Sequence, residues 1–234
     1  MELDATIAAI HQETPTVKSF VLDLGGQSLP FLPGQYVDVI FGPPGEHYAG
    51  GGYSMTSSPL LKGVIHLAVK KVLDEGDSAA LHERARVGDP ALVTGPAGDF
   101  YYERGAARSV VLIAGGIGIT PLMSMLHYVD EAEPDTLVTL LYSAQTPSEL
   151  AFREELEAMA ARNPNIRCLF TVTRPGKEPW NGRVGRIDRQ LLVQCTSDRE
   201  TVYYVCGPPH MRDAITELLG DLGVDHSRVK SEQW

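Results

Sequence analysis

Residues 109–121 read SVVLIAGGIGITP. Val110 to Ala114 form an unbroken apolar run rich in β-branched residues, which predicts a strand buried on both faces. Gly115, Gly116 and Gly118 follow at once, and Thr120 and Pro121 open the next segment. That segment, PLMSMLHYVDEA (121–132), carries Leu122, Met125, Leu126 and Val129 at helical spacing. Proline suits a first helical turn, where its missing N–H would have no partner in any case. The glycines let backbone pass close to a ligand, and the free N–H groups of a helix N-terminus favour a pyrophosphate. The pattern is not GxGxxG, and a plain tight turn is the alternative to a nucleotide site.

The pattern repeats downstream. Strand LVTLLYSA (137–144) precedes helix SELAFREELEAMAAR (148–162), with Ser148 in a capping position. Strand IRCLFTVT (166–173), helix GRIDRQLLVQ (185–194), strand TVYYVCG (201–207) and helix HMRDAITELLGDLG (210–223) complete the series. Alternating strand and helix predicts an α/β doubly wound parallel sheet, whose ligands bind beyond the carboxyl ends of the strands. Two more strand ends are candidates. In CGPPHM (206–211), two prolines fix the loop, and Cys206 is either a small buried hydrophobe or part of a site. In TVTRPGKEPWNGRVGR (171–186), Arg174 and Arg183 either reach a ribose or phosphate or lie solvated on the surface.

Upstream, the pattern changes to strands joined by turns: TVKSFVLDL (16–24), GQYVDVIF (34–41), VIHLAVKKV (64–72) and ALVTGP (91–96). One helical stretch, SAALHERAR (78–86), puts Leu81 and Ala85 on one face. Short strands at regular spacing predict a small antiparallel β-barrel over residues 1–103, joined through YERGAARS (102–109) to an α/β half at 108–234. In GGGYSMTSSP (50–59), an aromatic able to stack on a planar ring is followed by hydroxyl side chains. The alternative is a flexible loop entering an edge strand, with Tyr53 as core. GDSAAL (76–81) places Ser78 at a helix start, both a cap and an anion site. The segment VKSEQW (229–234) ends in Trp234, either a loose or packed end or a neighbour of a site.

The 234 residues are 43% hydrophobic and 21% charged, the mix of a soluble globular protein with one large or two small domains. A net charge of -10 argues against duplex nucleic acid, and 7% aromatic residues against a single-strand stacking surface. Cys168, Cys195 and Cys206 are odd in number and far from CxxC spacing, so a disulfide framework, an iron–sulfur cluster and a metal site are not expected. The start MELDATIAAI carries two acids and no base, unlike a signal or transit peptide. No apolar run approaches the ~20 residues of a membrane span. A cytoplasmic monomer is the expectation. Neither GxSxG nor HExxH occurs, which leaves little for a hydrolase.

Taken together, these pieces resemble the ferredoxin–NADP reductase superfamily along nearly the whole chain. The first half carries YS at Tyr53 and Ser54, AVK at Ala68 to Lys70, GDSAAL at 76–81 and GPAGDF at 95–100. The second carries GGIGITP at 115–121 and CGPP at 206–209. Within the superfamily, GGYSMTSSP and the terminal Trp are most similar to the oxidoreductase NAD-binding domain-containing protein group. The resemblance implies a flavin-binding barrel followed by an NAD(P)-binding domain. It implies FAD rather than FMN, NADPH or NADH as hydride donor, and an electron acceptor that the sequence does not identify.

The resemblance also assigns roles. Tyr53 stacks on the flavin, Ser54 bonds near its N5, and Val69 and Lys70 contact it through backbone. Gly76 and Ser78 hold the pyrophosphate. Gly116, Thr120, Pro121 and Gly207 receive the nicotinamide nucleotide, with Cys206 beside the reactive carbon. Glu232 supplies a carboxylate near Ser54 and Cys206. Trp234 covers the flavin face that the nicotinamide must reach and has to move aside. Thr173 and Arg174 fall where NADP-preferring members bind the 2′-phosphate, whereas Tyr142 to Phe152 holds no base; the balance favours NADPH.

One position departs from the family pattern. Gly51 stands where Arg-x-Tyr-Ser would place an arginine on the pyrophosphate, leaving His47, Lys70 or Lys71 to compensate. The expected activity is hydride transfer from NAD(P)H to bound flavin, then electron delivery to an acceptor. The competing expectations are an electron-transfer subunit inactive without its partner and a catalytically degenerate nucleotide-binding protein.

Overall fold

The computed structural model describes residues 1–195 and 200–233. The first half is a six-stranded antiparallel sheet of β1 (Glu2–Thr14), β2 (Val17–Asp23), β3 (Tyr36–Phe41), β4 (Ala49–Ser54), β5 (Val64–Lys70) and β6 (Pro90–Ala97). Its order is β4-β3-β6-β1-β2-β5. The sheet curls until its two edges meet. Met55, just past β4, bridges Leu67 of β5, and the Thr56 N–H donates to the His66 carbonyl at 2.8 Å. Alternate residues point inward, and Phe20, Val37, Val39, Phe41, Leu67 and Val93 fill the interior. Helix α1 (Asp77–Arg84) buries Ala79, Leu81 and His82 against it.

Two of these strands were not legible as strands. Strand β1 has Leu3, Ala5 and Ile7 buried in alternation with exposed Glu2, Asp4 and Thr6. Strand β4 contains the glycines expected in a loop: Gly50, Gly51 and Gly52 pair with Ile40, Val39 and Asp38. Ladder pairing uses main-chain groups, so a strand held by a neighbour tolerates missing side chains.

The second half is a parallel sheet of β7 (Ser109–Gly115), β8 (Leu137–Ala144), β9 (Ile166–Val172), β10 (Arg183–Val184), β11 (Val202–Gly207) and β12 (Val229–Gln233). Its order is β10-β9-β8-β7-β11-β12. Strand β7 is buried along its whole length, as its composition predicts. Helices α2 (Ile119–Ala132) and α3 (Arg153–Arg162) cover one face. Helices α4 (Arg189–Val193) and α5 (Pro209–Asp221) cover the other.

Three local expectations are corrected. Ser148 does not cap α3: Pro147–Glu149 form a short 3-10 turn, and α3 starts after Phe152, which adopts a left-handed φ of 60°. The helix expected over 185–194 contracts to α4, because the Asp188 side chain accepts the Leu191 N–H at 3.0 Å and sets a cap there. The segment expected only as a chain end is a strand, with Glu232 beside Cys206 in the ladder.

The halves share a continuous core. Val17, Ala68, Phe100 and Tyr102 of the first pack with Leu122, Met125, Leu126 and Tyr204 of the second. Polar contacts cross the same seam. The Tyr102 hydroxyl donates to Glu133 at 2.7 Å, Thr16 to Glu149 at 2.5 Å, and Ser124 to the Ser57 carbonyl at 2.7 Å. Among the described residues, no helix is long and apolar enough to cross a membrane.

Candidate functional site

Where the halves meet there is a cleft of ≈ 470 Å³. This lies within the range of small-molecule sites, about 300–1,000 Å³. One wall comes from β4, β5 and α1, through Tyr53, Ser54, Val69, Lys70 and Ser78. The other comes from the carboxyl ends of β7, β11 and β12, through Ile117, Gly118, Thr120, Pro121, Cys206 and Glu232.

On the first wall, Tyr53 leans back along its strand over Gly51. A Cβ at Gly51 would lie 3.1 Å from the Tyr53 hydroxyl. Residues two apart share a strand face, so an arginine at 51 and this tyrosine rotamer would compete for one space. Burial, then the charge of Asp77, pushes the Tyr53 phenol up to about 12, so it is a neutral donor near pH 7. A second aromatic, Tyr36, also lines the cleft, with its ring between Gly52 and Gly98. Its signal in the sequence was available: Val37, Val39 and Phe41 face the barrel core, which puts Tyr36 on the opposite face of β3.

The cleft floor has a support that sequence reasoning also missed. The His82 ring donates from Nε2 to the Val69 carbonyl at 2.8 Å. Burial holds His82 below the usual histidine range, so the ring is neutral and the contact needs no charge. Ser78 does not cap α1. Gly76 occupies the cap, with φ 90° and no side-chain bond, and the Ser78 hydroxyl sits in the first turn, 3.5 Å from the Val72 N–H. The first-turn N–H groups are therefore not taken by a side-chain cap. Of the three groups expected to replace the missing arginine, Lys70 lines the cleft. Lys71 is engaged by Asp74 and Glu83 at 3.2 and 3.0 Å, and His47 lies exposed outside the lining.

On the second wall the turn is tight. A Cβ at Gly118 would fall 2.4 Å from the Cys206 carbonyl oxygen, so only glycine lets this loop rest on the end of β11. Gly116 takes φ 55° to make the bend. Thr120 donates to the Ile117 carbonyl at 3.0 Å and so presents only lone pairs to the cleft. Cys206 and Glu232 are register neighbours on β11 and β12. Burial, then the charge of Glu232, raises the Cys206 thiol far above its ordinary range. Its sulfur is thus a neutral, polarisable contact and not a thiolate nucleophile. Burial also raises Glu232.

The structure therefore gathers Tyr53, Ser54, Val69, Lys70, Ser78, Thr120, Pro121, Cys206 and Glu232 around one space. Gly76, Gly116 and Gly207 stand just outside the lining as turn or strand-end residues. Thr173 and Arg174 lie beyond the end of β9, with their N–H groups on the carbonyls of Ala144 and Gln145 at 3.0 and 2.7 Å. Two strand spacings, about 10 Å, separate β9 from β7. Arg183 pairs through one guanidinium nitrogen with Asp188 and lines a different cavity. Trp234 lies outside the described residues. A second cavity of ≈ 460 Å³, lined by Cys168, Phe170, Trp180 and Arg183 among others, flanks β9 and gathers none of the motif residues of the cleft.

A flavin and a nicotinamide nucleotide fit this donor set. Tyr36 and Tyr53 offer planar apolar surfaces, and Lys70 and the open α1 terminus offer positive potential.

Comparison with known proteins agrees with this geometry. Residues 4–102 match the oxidoreductase FAD-binding domain, and residues 112–217 match the oxidoreductase NAD-binding domain. The flavohemoprotein of Bordetella pertussis is 30% identical over 230 residues, 94% of this chain and 57% of that protein. The glycine betaine monooxygenase reductase subunit of Chromohalobacter salexigens is 32% identical over 229 residues, 96% of this chain and 62% of that protein. The FAD/NAD-binding domain of nitric oxide dioxygenase from Vibrio cholerae superposes with a TM-score of 0.87 at 26% identity, covering 99% of this chain and 98% of that one. The chain thus spans about three-fifths of the curated relatives it matches. It belongs to the ferredoxin–NADP reductase superfamily, with an oxidoreductase FAD-binding domain followed by an oxidoreductase NAD-binding domain.

Proposed function

We propose that this chain oxidises NADPH or NADH in the cleft and delivers the electrons to a separate acceptor, with residues 1–103 holding the flavin and residues 108–234 the nicotinamide nucleotide. The observation that carries this reading is that one cavity takes Tyr53 and Ser54 from one half and Thr120, Pro121 and Cys206 from the other. FAD, when bound, supplies the ability to take a hydride and release electrons singly or as a pair.

The protein contributes position and field. Tyr53 and Tyr36 hold a planar ring system, and the Ser54 hydroxyl bonds its edge. Val69, fixed by His82, and Lys70 set the floor. Gly76, Ser78 and the α1 terminus hold phosphate oxygens. Gly116, Gly118, Thr120, Pro121 and Gly207 seat the nicotinamide nucleotide, and Thr173 and Arg174 favour a 2′-phosphate and hence NADPH. Cys206 offers a neutral contact beside the reacting carbon. Glu232, raised by burial, can hold or release a proton at its carboxylate. Trp234 belongs to the same site by resemblance.

The acceptor is a one-electron carrier or an oxygenase component, as the name of the Chromohalobacter relative suggests. Val72 and Leu73 favour a protein: Val72 lines the cleft, and the two side chains are 64% and 69% exposed. In that case turnover is slow until the partner is present. The test is the absorbance spectrum of purified protein, followed by anaerobic addition of NADH and then NADPH. Flavin bands that bleach are expected, faster with NADPH. Protein that stays colourless when supplied with FAD and FMN overturns the reading, as does bound flavin that neither nucleotide bleaches.

A further inference from the structure

Helix α2 carries Thr120, Ser124 and His127 at spacings of four and three residues, which puts them on one face. Thr120 lines the cleft, and the next two meet the barrel. Ser124 donates to the Ser57 carbonyl at 2.7 Å, and His127 Nδ1 contacts the Thr56 carbonyl at 2.8 Å. Thr56 and Ser57 follow Tyr53 and Ser54 by two to four residues. They are themselves anchored to β5: the Thr56 N–H donates to the His66 carbonyl, and Ser57 Oγ accepts the His66 N–H at 3.1 Å. The element that lines one wall of the cleft is thus tied, one or two turns on, to the element that lines the other.

The His127 contact has a second half. Its Nε2 lies 2.7 Å from a Glu155 carboxylate oxygen on α3. A carbonyl and a carboxylate both only accept, so both ring nitrogens must donate, and only the imidazolium does this. We propose that His127 is a positioning residue for the reaction in the cleft: clasped between Thr56 and Glu155, it sets how closely the wall of Tyr53 and Ser54 stands to the wall of Thr120 and Pro121. This rests on the reductase reading given above.

The charged and titratable groups facing His127 are Glu155 on α3, Glu131 on its own helix and His66 on β5. His11 on β1 acts on His66, and Arg162 on Glu155. Burial works against the charged ring. Glu155, the Thr56 carbonyl and Glu131 together outweigh it and hold His127 above the usual histidine range. The clasp is therefore complete below the ordinary histidine value, down to where Glu155 itself takes a proton, and opens as pH rises through the raised value, when one nitrogen turns a lone pair toward an oxygen. A displacement of about 1 Å between reacting groups costs up to ~10²-fold in rate, so opening should slow flavin reduction by about ten- to a hundredfold and weaken nucleotide affinity.

The experiment uses FAD-loaded wild type, His127→Gln and Glu155→Gln, each across the histidine range. NADP⁺ and NAD⁺ affinities are measured by calorimetry and anaerobic flavin reduction by stopped flow. The wild type should show one step in both quantities, falling as pH rises. Glu155→Gln should move that step to lower pH. His127→Gln, with an amide that donates once and does not titrate, should lack the step and keep the weaker values throughout. Equal pH profiles in wild type and His127→Gln overturn the proposal, as does a step that Glu155→Gln leaves in place. If neither nucleotide bleaches the flavin, the reductase reading fails, while the affinity profiles still decide the role of His127. If His127→Gln does not fold, the shift in Glu155→Gln decides it.

Discussion

An alanine at Gly118 would place its Cβ 2.4 Å from the Cys206 carbonyl oxygen, 2.6 Å from the Cys206 carbonyl carbon and 2.8 Å from the Gly207 nitrogen. All three are backbone atoms of the end of β11, so no side chain can swing away. Gly118 has φ −59°, which alanine adopts freely. The substitution therefore tests close approach alone, without conformational strain. To regain ordinary contact, the loop must retreat from β11 by about 1 Å, and overpacking of this kind costs about 1–3 kcal/mol. For a chain of this size that is a fall in melting temperature of about 2–4 °C per kcal/mol.

The functional effect should be larger than the effect on stability. Ile117, Thr120 and Pro121 ride on the same loop, and a 1 Å misplacement of a bound reactant costs up to ~10²-fold. Gly118→Ala should thus reduce bound flavin about ten- to a hundredfold more slowly with either nucleotide. It should hold FAD as tightly as wild type, because Tyr53, Lys70 and Ser78 belong to the other wall. Gly116→Ala is the comparison for stability alone, since Gly116 is itself placed at the nucleotide: its φ of 55° is strained for alanine, by about 1–3 kcal/mol, but an added Cβ meets nothing within 4 Å. It should lose stability without moving the loop against β11. Wild-type reduction rates in Gly118→Ala, or loss of FAD in place of slow reduction, would refute the assignment of this loop to the nucleotide.

Cys206→Ala should slow flavin reduction in stopped flow while FAD stays bound, and an unchanged rate removes Cys206 from the site. Because burial raises its thiol, Cys206 should resist iodoacetamide at neutral pH in the folded protein and react once unfolded; rapid labelling of the native state contradicts the neutral-thiol reading. Glu149→Ala leaves the Thr14 and Thr16 hydroxyls without their acceptor at the seam between the halves, which should cost about 1–2 kcal/mol in calorimetric unfolding. The His127–Glu155 pair should also shape stability against pH. His127 is raised, so its contribution is full below the ordinary histidine value and lost as pH rises through the raised one. Glu155 is lowered, so its contribution is present above the ordinary carboxylate value and lost as pH falls through the lowered one. Melting curves of wild type should lie above those of Glu155→Gln between these limits and converge outside them; a constant offset at every pH contradicts the linkage.

What was legible from sequence, and what was not, divides by range. Strand β7 lies on the apolar, β-branched run that marks it out, because a strand buried on both faces needs little more than that composition. Strand β4 was legible only as an ambiguous glycine stretch, since Gly50 to Gly52 owe their extended form to pairing with Asp38 to Ile40, which no local propensity encodes. The motif residues Tyr53, Thr120 and Cys206 announced themselves because each sits next to a glycine turn or a strand end. Tyr36, His82 and His127 did not: they act through a register, a floor carbonyl and a partner carbonyl 71 residues away, respectively.

The same distinction explains Gly51. Its sequence signal is an absence, the missing arginine, whereas the structure gives it a positive content: the Tyr53 hydroxyl occupies the space over it. A Cβ restored there would press on that hydroxyl, and the tyrosine would have to give by a few tenths of an ångström. On the flavin reading, Gly51 and the pose of Tyr53 therefore form one feature, and Lys70 with the uncapped N–H groups of α1 are the donors proposed to face phosphate.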